Sequence, residues 1–267
     1  MKIIPFLKWA GGKRWLLSNA QLAQPQKYDR YIEPFLGGGA VFFQIAPRNS
    51  IISDINSDLI EFYRVLRDSP SKLSEEMARH QRLHCVEYYY EQRKYVPRSA
   101  LERASRFLYL NRTCWNGLYR VNAKGEFNVP IGTKNTVILK TDDYWGASCI
   151  LNNSVIENLD FESIIDRSSA GDFVFVDPPY TVKHNYNNFI KYNEKLFSWS
   201  DQIRLKESVV RAASRGACLV ICNADHKSVH ELYGDVGRYL KLSRASVLSG
   251  KSAGRRETTE AMYCVNF

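Results

Sequence analysis

The chain has 267 residues, of which 45% are hydrophobic and 24% charged, as in a soluble globular protein with one large domain or a domain carrying an inserted one. A net charge of +9, from 37 Lys and Arg against 28 Asp and Glu, favours a polyanionic partner. No run of about 18 apolar residues occurs and the six cysteines lack the spacing of a zinc site, so a soluble, cytoplasmic protein without membrane or metal is expected.

The first motif is Phe6-Leu-Lys-Trp-Ala-Gly-Gly-Lys-Arg14. Its glycine pair lets the backbone approach a ligand closely. Lys13 is placed to meet a carboxylate at the start of the following segment. A flexible loop with a solvated charge cluster is the alternative interpretation.

Residues 28–43 are predicted to form a strand, a glycine turn and a helix, as in nucleotide-binding α/β folds. Gly37 and Gly39 supply the first two glycines of a dinucleotide fingerprint, but Phe42 stands in place of the third, which disfavours a nicotinamide enzyme. A second strand, residues 50–54, ends in Asp54, 17 positions after Gly37 and near the spacing at which a carboxylate meets a ribose hydroxyl. A solvated Asp before a helix is the alternative.

The expected alternation of strands and helices is absent from residue 57 to about residue 150. Leu59, Phe62, Tyr63 and Leu66 stand at helical spacing, and Pro70 closes that segment. The interval is predicted to be a mainly helical insert between two halves of a catalytic domain. Its scattered arginines are predicted to neutralise phosphates, and they stand at positions 93, 98, 103, 106 and 112.

Within the insert, residues 111–132 alternate turn residues with short extended runs, which predicts a loop shaped like a hairpin. The loop presents Trp115, Leu118 and Arg120. An arginine can pair with a guanine edge in the major groove, and an aromatic or apolar side chain can enter the stack where a base has left. A packed loop tryptophan is the alternative interpretation for Trp115.

The central segment is Gly171-Asp-Phe-Val-Phe-Val-Asp-Pro-Pro-Tyr180. Its four apolar residues predict a strand buried on both faces, which two prolines must end. The Asp177 carboxylate and the Pro178 carbonyl can accept two N–H protons, and Tyr180 offers a flat face. This set suits a planar substrate with an exocyclic amino group, such as a nucleobase, although Pro-Pro could simply end a core strand.

The rest of the chain returns to alternating helices and strands. Ser198 and Asp201 predict a capping box for a helix that ends near Gly216. A strand at 217–222, a short helix at 229–233 and a final strand at 261–267 follow. In the loop 181–195, His184 is a general-base candidate or, more simply, a solvated histidine, and the basic loop 249–259 is a candidate phosphate contact.

Asp177-Pro-Pro-Tyr180 resembles the catalytic motif of methyltransferases that use S-adenosylmethionine and act on adenine N6. The nonapeptide 6–14, the segment 33–39, Asp54-Ile-Asn56 and the loop 111–132 resemble motifs of the DNA adenine methylase (Dam) family, also called the alpha or D12 class. The resemblance spans nearly the whole chain. It departs in the loop 181–195, and position 115 is Trp where Tyr is more familiar.

The resemblance implies an α/β fold with a Rossmann-like S-adenosylmethionine-dependent methyltransferase domain, formed by residues 1–56 and 146–267, and a mainly helical target-recognition insert at 57–145. It implies catalytic roles for Asp177, Pro178, Pro179 and Tyr180. The implied contacts to S-adenosylmethionine come from Trp9, Lys13, Glu33, Phe35, Gly37, Gly39, Asp54 and Asp177. The implied contacts to DNA come from Lys8, Trp115, Asn116, Leu118, Arg120 and Pro130.

The function implied is site-specific methylation of a flipped adenine in double-stranded DNA by a monomeric protein, which is cytoplasmic and associates with the nucleoid while acting. The family commonly methylates GATC. Two alternatives stay open at this point: an RNA adenine methyltransferase, and a DNA-binding relative without catalytic activity.

Overall fold

The computed structural model describes most of the chain. The described residues are 3–18, 22–117, 119–122, 126–183, 197–245 and 257–267. They fall into two compact units. The first unit comprises Met1–Arg14, Leu36–Arg48 and Asp54–Asn158, and the second comprises Trp15–Phe35, Asn49–Ser53 and Leu159–Phe267.

Helices and a seven-stranded sheet make this a mixed α/β fold, as predicted. The strands are β1 Arg30–Glu33, β2 Ser50–Ser53, β3 Ser154–Glu157, β4 Asp172–Val176, β5 Cys218–Ala224, β6 Arg238–Ala245 and β7 Glu257–Val265. The described α-helices are α1 Arg14–Ser18, α2 Ala40–Ile45, α3 Ser57–Asp68, α4 Pro70–Leu83, α5 Val86–Lys94, α6 Ala100–Thr113, α7 Tyr144–Leu151, α8 Phe161–Ile165, α9 Trp199–Ser214 and α10 Lys227–Tyr233.

Six strands belong to the second unit, in the order β2-β1-β4-β5-β7-β6. The first four are parallel, with Ile32 of β1 opposite Val174 of β4 and Val174 opposite Leu219 of β5. Strand β7 runs antiparallel to both of its neighbours. All five residues of β4 are buried, as expected for an apolar strand inside a parallel sheet, and the carboxyl ends of β1, β2 and β4 therefore lie at one edge.

The interval from residue 57 to residue 113 is helical, as predicted, and consists of α3 to α6. The apolar residues placed at helical spacing in α3 are all buried. The side chain of Asn56 caps α3 by accepting a hydrogen bond from the Leu59 N–H at 3.1 Å. A 3-10 turn, Trp115–Gly117, follows α6.

The predicted capping box is present at the start of α9. The Ser198 hydroxyl accepts from the Asp201 N–H, and the Asp201 carboxylate accepts from the Ser198 N–H at 2.8 Å. Helix α9 stops at Ser214, and Gly216 takes φ = 89°, a left-handed conformation that favours glycine.

In the part of the chain that the structure describes, no helix is both long and apolar enough to cross a membrane. Within the same described ranges, no group of three or more His, Cys, Asp or Glu side chains is placed to hold a metal ion.

Candidate active site

The residues that follow β4 form an acceptor-rich corner in the second unit. Asp177 comes directly after the buried strand and is itself partly buried, and Pro178 is buried. The two prolines at 178 and 179 fix the backbone and carry no N–H donor. The polar groups of the corner are therefore a carboxylate and main-chain carbonyls, which suit a ligand that donates hydrogen bonds.

Tyr180 is anchored within the same unit by Glu260 of β7. Its hydroxyl donates to Glu260 Oε2 at 2.6 Å, and Glu260 is only 3% exposed. Burial, followed by the negative charges of Asp177 and Glu260, raises the pKa of Tyr180 well above its usual value, so the hydroxyl stays protonated at neutral pH. This bond restricts the ring to one orientation. Glu260 lies 80 positions from Tyr180 in the sequence, so no local motif indicates this partner.

Glu33 and Phe35 lie at and just after the end of β1, also in the second unit. Glu33 is 2% exposed and accepts a hydrogen bond of 2.7 Å from the Tyr31 hydroxyl. Phe35 packs against two other rings, Phe161 at 5.3 Å and Phe197 at 5.6 Å between centroids. These contacts make Phe35 part of the core that supports the carboxyl edge of the sheet.

The glycine turn belongs to the first unit, and its backbone requires glycine. Gly37 has φ = 49° and Gly39 has φ = 67°, both in the left-handed region. A Cβ atom added to Gly37 would lie 2.8 Å from Cδ1 of Trp9, and one added to Gly38 would lie 3.1 Å from Cβ of Trp9. The indole of Trp9 therefore lies directly against the main chain of the turn.

Asp54, also in the first unit, holds the glycine turn. One carboxylate oxygen accepts the Gly37 N–H at 3.0 Å and the other accepts the Asn56 N–H at 3.0 Å. Burial raises the pKa of Asp54, and the backbone N–H groups that it accepts oppose that shift. Asp54 is thus a partly buried carboxylate that also holds the shape of the turn.

The two lysines of the N-terminal motif have different surroundings. Lys13 is 2% exposed, and its ammonium group donates to the Gly11 carbonyl at 2.9 Å. Lys8 is exposed, its stem packs closely on Gly117, and its backbone exchanges hydrogen bonds of 2.9 and 2.8 Å with the side chain of Asn111. Asn111, which the sequence analysis did not single out, thereby ties the N-terminal motif to α6.

Hydrogen bonds between its described residues close the loop after α6. The Trp115 N–H donates to the Pro130 carbonyl at 2.9 Å, and the indole of Trp115 is 50% exposed. Asn116 adopts φ = 55°, which is uncommon for a residue other than glycine. Arg120 is exposed and donates through Nε to Asn128 Oδ1 at 3.0 Å.

Several of the arginines that are predicted to neutralise phosphates form hydrogen bonds within the first unit. Arg103 pairs with Glu61 at 2.5 and 2.7 Å. Arg106 donates to the carbonyls of Gln92 and Arg93, at the end of α5, at 2.6 and 2.8 Å. These guanidinium groups therefore hold helices together.

Arg112 is the third of these arginines and the most deeply buried. It is 2% exposed and forms a bidentate pair with Asp142, with both distances 2.6 Å. It also donates to the Val137 carbonyl at 2.7 Å. Removing one partner of a buried pair of this kind typically costs about 3–5 kcal/mol, because the other charge is left buried and unpaired.

Some predicted site residues lie outside the described residues. They are Leu118, His184 with most of the loop 181–195, and most of the basic loop 249–259.

The arrangement has the features of a domain that binds a nucleotide-like cofactor. β1 leads through a glycine turn into α2, the residue after β2 is a carboxylate, and an indole lines the turn. These groups fit S-adenosylmethionine, which presents ribose hydroxyls and an adenine ring. Such groups are typical of an S-adenosylmethionine-dependent methyltransferase domain.

The family follows from sequence comparison. Residues 9–247 match the sequence model of the family described as D12 class N6 adenine-specific DNA methyltransferase. The chain therefore belongs to this family of adenine-specific DNA methyltransferases, and its methyl donor is S-adenosylmethionine.

Curated relatives cover most of the chain. The type II methyltransferase M1.LlaDCHI of Lactococcus lactis subsp. cremoris is 39% identical over 96% of this chain and 93% of its own length. The type II methyltransferase M.MjaIII of Methanocaldococcus jannaschii is 38% identical, over 84% and 85% respectively. A DNA adenine methylase of Haemophilus influenzae is 32% identical, over 87% and 84%.

Proposed function

We propose that this chain methylates N6 of an adenine that is flipped out of duplex DNA, within one short recognition sequence. The observation that carries the proposal is the corner after β4, where Asp177 and two prolines follow a buried strand and Glu260 holds the ring of Tyr180. A base inside a duplex cannot reach such a corner, so the adenine must leave the stack, at a cost of a few kcal/mol.

The corner supplies what the amino group of adenine needs. N6 is a poor nucleophile because its lone pair is delocalised into the ring. In the proposed reaction the Asp177 carboxylate and the Pro178 carbonyl accept hydrogen bonds from the two N6–H groups, which favours a pyramidal nitrogen with a directed lone pair. Tyr180 stacks on the base, and Pro179 keeps the backbone rigid, so positioning supplies much of the rate. S-adenosylmethionine, when bound, supplies the activated methyl group.

The cofactor roles that we propose rest on the groups described in each unit. In the first unit, Trp9 lines the glycine turn, Asp54 accepts ribose hydroxyls and Lys13 faces the carboxylate of the methionine portion. Gly37 and Gly39 keep the main chain open for the ligand. In the second unit, the proposed contacts are Glu33, Phe35 and Asp177.

The DNA-facing roles are proposed for the loop after α6 and for Lys8. Arg120 is exposed and is proposed to read a guanine edge, and the half-exposed Trp115 is proposed to fill the gap left by the flipped base. Asn116, Leu118, Pro130 and Lys8 are proposed to line the same face. We propose that residues 57–145 are the target-recognition domain and that 1–56 and 146–267 are the catalytic domain.

The biological setting is also a proposal. Two of the relatives carry names of type II methyltransferases, which suggests a role in restriction and modification beside a nuclease with the same target. A GATC-like target is proposed because the family that the motifs resemble commonly methylates GATC. We further propose that the protein acts as a monomer in the cytoplasm, at the nucleoid.

Mapping methylated adenines tests the proposal. Purified protein and S-adenosylmethionine are incubated with plasmid DNA free of N6-methyladenine, and modified positions are read by sequencing. We expect methylation at a single short motif. Asp177→Ala should lower kcat by at least about 100-fold, because the developing charge loses its positioned partner. Asp166→Ala removes an exposed carboxylate of the same unit and should leave kcat unchanged.

Three results would contradict the proposed function: near-full turnover by Asp177→Ala, modification scattered without a motif, or a preference for RNA over duplex DNA under the same conditions.

A further inference from the structure

Tyr119 lies where the glycine turn, α3 and the loop after α6 meet, all within the first unit. Its ring stacks on Trp9 with centroids 6.1 Å apart and planes 20° apart, and it packs on Phe107 at 4.7 Å. Its hydroxyl donates to Asp58 Oδ2, in the first turn of α3. None of the roles assigned above uses Tyr119 or Asp58.

Two routes connect Tyr119 to the glycine turn. The first is through Trp9, whose indole lies against Gly37 and Gly38. The second is through the start of α3, because Asn56, its N-cap, donates its backbone N–H to Asp54, and Asp54 accepts the Gly37 N–H. A ligand that binds at the turn and contacts Trp9 or Asp54 therefore affects Tyr119. It does so through the stacking on Trp9, or through the start of α3, which carries Asp58.

On its other side, Tyr119 is the residue before Arg120, at the base of a short hairpin. The strands of this hairpin are held by the Asn128 N–H to Arg120 carbonyl bond at 3.2 Å, the Asn122 N–H to Glu126 carbonyl bond at 2.9 Å and a bridge between Val121 and Phe127. A two-stranded hairpin alone is marginally stable in water. Packing of the rings of Tyr119 and Phe127, 5.6 Å apart, supplies the anchor.

We propose that Tyr119 is a positioning residue that couples occupancy of the glycine turn to reading of the target by Arg120. The proposal rests on the roles proposed for Trp9, Asp54 and Arg120. The hydrogen bond from Tyr119 to Asp58 fixes the base of the hairpin. The stacking of Tyr119 on Trp9 makes the position of Tyr119 depend on whether the turn is occupied. Coupling of this kind is reciprocal: cognate DNA tightens cofactor binding by the same factor as the cofactor tightens cognate DNA binding.

The two contacts of Tyr119 can be removed separately. Tyr119→Phe keeps the stacked ring and removes the bond to Asp58, whereas Tyr119→Ala removes both. Tyr95→Phe is the matched control, because the Tyr95 hydroxyl also donates to a carboxylate of the first unit, Glu102 at 2.8 Å, and has no assigned role. Thermal unfolding of each variant shows whether the fold is retained.

The measured quantity is the dissociation constant of S-adenosylmethionine, by calorimetry, with and without a cognate duplex. For the wild type, the duplex should tighten binding at least about fivefold. Tyr119→Phe should keep the dissociation constant without DNA within twofold of the wild-type value. The ratio of the dissociation constants without and with the duplex should fall close to one. Discrimination against duplexes with single-base changes should fall about tenfold. Tyr119→Ala should also weaken binding without DNA, because Trp9 loses its neighbour. Tyr95→Phe should match the wild type.

A double variant checks that the loss of coupling is caused by the loss of the hydrogen bond to Asp58. Because Tyr119→Phe and Asp58→Ala break the same bond, combining them should change the ratio no more than either alone.

The inference is overturned if the wild type shows no coupling, or if both Tyr119 variants keep the wild-type ratio and discrimination and lose only thermal stability. Methylation by the wild type is measured in the same samples. Its absence would contradict the proposed function and this inference together, whereas normal methylation with an unchanged ratio contradicts the inference alone.

Discussion

At the scale of single residues, Asp54 combines a structural and a proposed ligand-binding role. Its two oxygens each accept a backbone N–H, from Gly37 and Asn56, at 3.0 Å. A carboxylate offers about four acceptor sites, so a site is left for a ribose hydroxyl after the backbone N–H groups of Gly37, Asn56 and Ile55 are bound. The carboxylate therefore both shapes the turn and is suited to bind the cofactor.

The first prediction concerns this double role. Asp54→Ala should weaken S-adenosylmethionine binding by about 1–3 kcal/mol, because polar partners of the ligand and of the turn lose their acceptor. Calorimetry measures the affinity, and thermal unfolding measures the accompanying loss of stability. Asp143→Ala is the control: Asp143 caps α7 by accepting the Gly146 N–H at 2.7 Å, so its loss should lower stability by about 1 kcal/mol and leave the affinity unchanged. Unchanged affinity in Asp54→Ala would indicate that the turn binds another ligand.

At the scale of elements, the helical interval separates arginines that look alike in the sequence. Arg103, Arg106 and Arg112 are engaged with carboxylates or carbonyls of the first unit, whereas Arg120 stands on the exposed hairpin after α6. A guanidinium already bound to a helix end or a buried carboxylate loses those bonds if it turns to a phosphate. Contacts to DNA are therefore expected from exposed loops of the insert, and its helices give mainly structural support.

The second prediction separates base reading from phosphate contact on those loops. Arg120→Ala should cost about 1–3 kcal/mol at one position of the target and relax selectivity there. Lys134→Ala, at an exposed residue of the same segment, should weaken all duplexes alike and lower the salt slope by about one unit. Binding to duplexes with single-base changes, at several salt concentrations, distinguishes the two effects. If Arg120→Ala only flattens the salt dependence, then Arg120 contacts phosphate and does not read a base.

At the scale of the whole molecule, a buried histidine makes stability depend on pH. His80 of α4 is 1% exposed, shares a hydrogen bond of 2.7 Å with the Tyr88 hydroxyl and stacks on Tyr109 at 4.6 Å. Burial lowers the pKa of His80 to about 3. In the unfolded chain the pKa of a histidine is about 6.5, so between these values the unfolded state binds the additional proton.

The third prediction is that stability falls as the pH drops from about 6.5 towards 3, with His80 contributing up to about 1.4 kcal/mol per pH unit. Above about pH 6.5, His80 is neutral in both the folded and the unfolded state, so it does not change the free energy of unfolding with pH. Urea unfolding of the wild type and of His80→Phe at pH 7.5, 6.5 and 5.5 measures the effect. The variant should lose less stability than the wild type between pH 6.5 and 5.5. Equal losses would show that other groups cause the acid sensitivity.

Features that depend on neighbouring residues could be predicted from the sequence. The buried strand that ends at Asp177, the glycine turn, the apolar face of α3 and the capping box at Ser198 each need only a few consecutive side chains, and the structure confirms these local features. The family could also be predicted, because its motifs are short and contiguous.

The distant partner of each polar side chain could not be predicted, because it depends on how the chain folds. The anchor of Tyr180 is Glu260, the partner of Tyr119 is Asp58, and Arg112 is buried against Asp142. Such pairs lie 30 to 80 positions apart, and no local periodicity or propensity identifies them. A charged or hydroxyl group binds the complementary group that folding brings close to it. An arginine in the sequence is therefore compatible with a phosphate contact and with a buried ion pair, and its neighbours in the sequence do not distinguish the two.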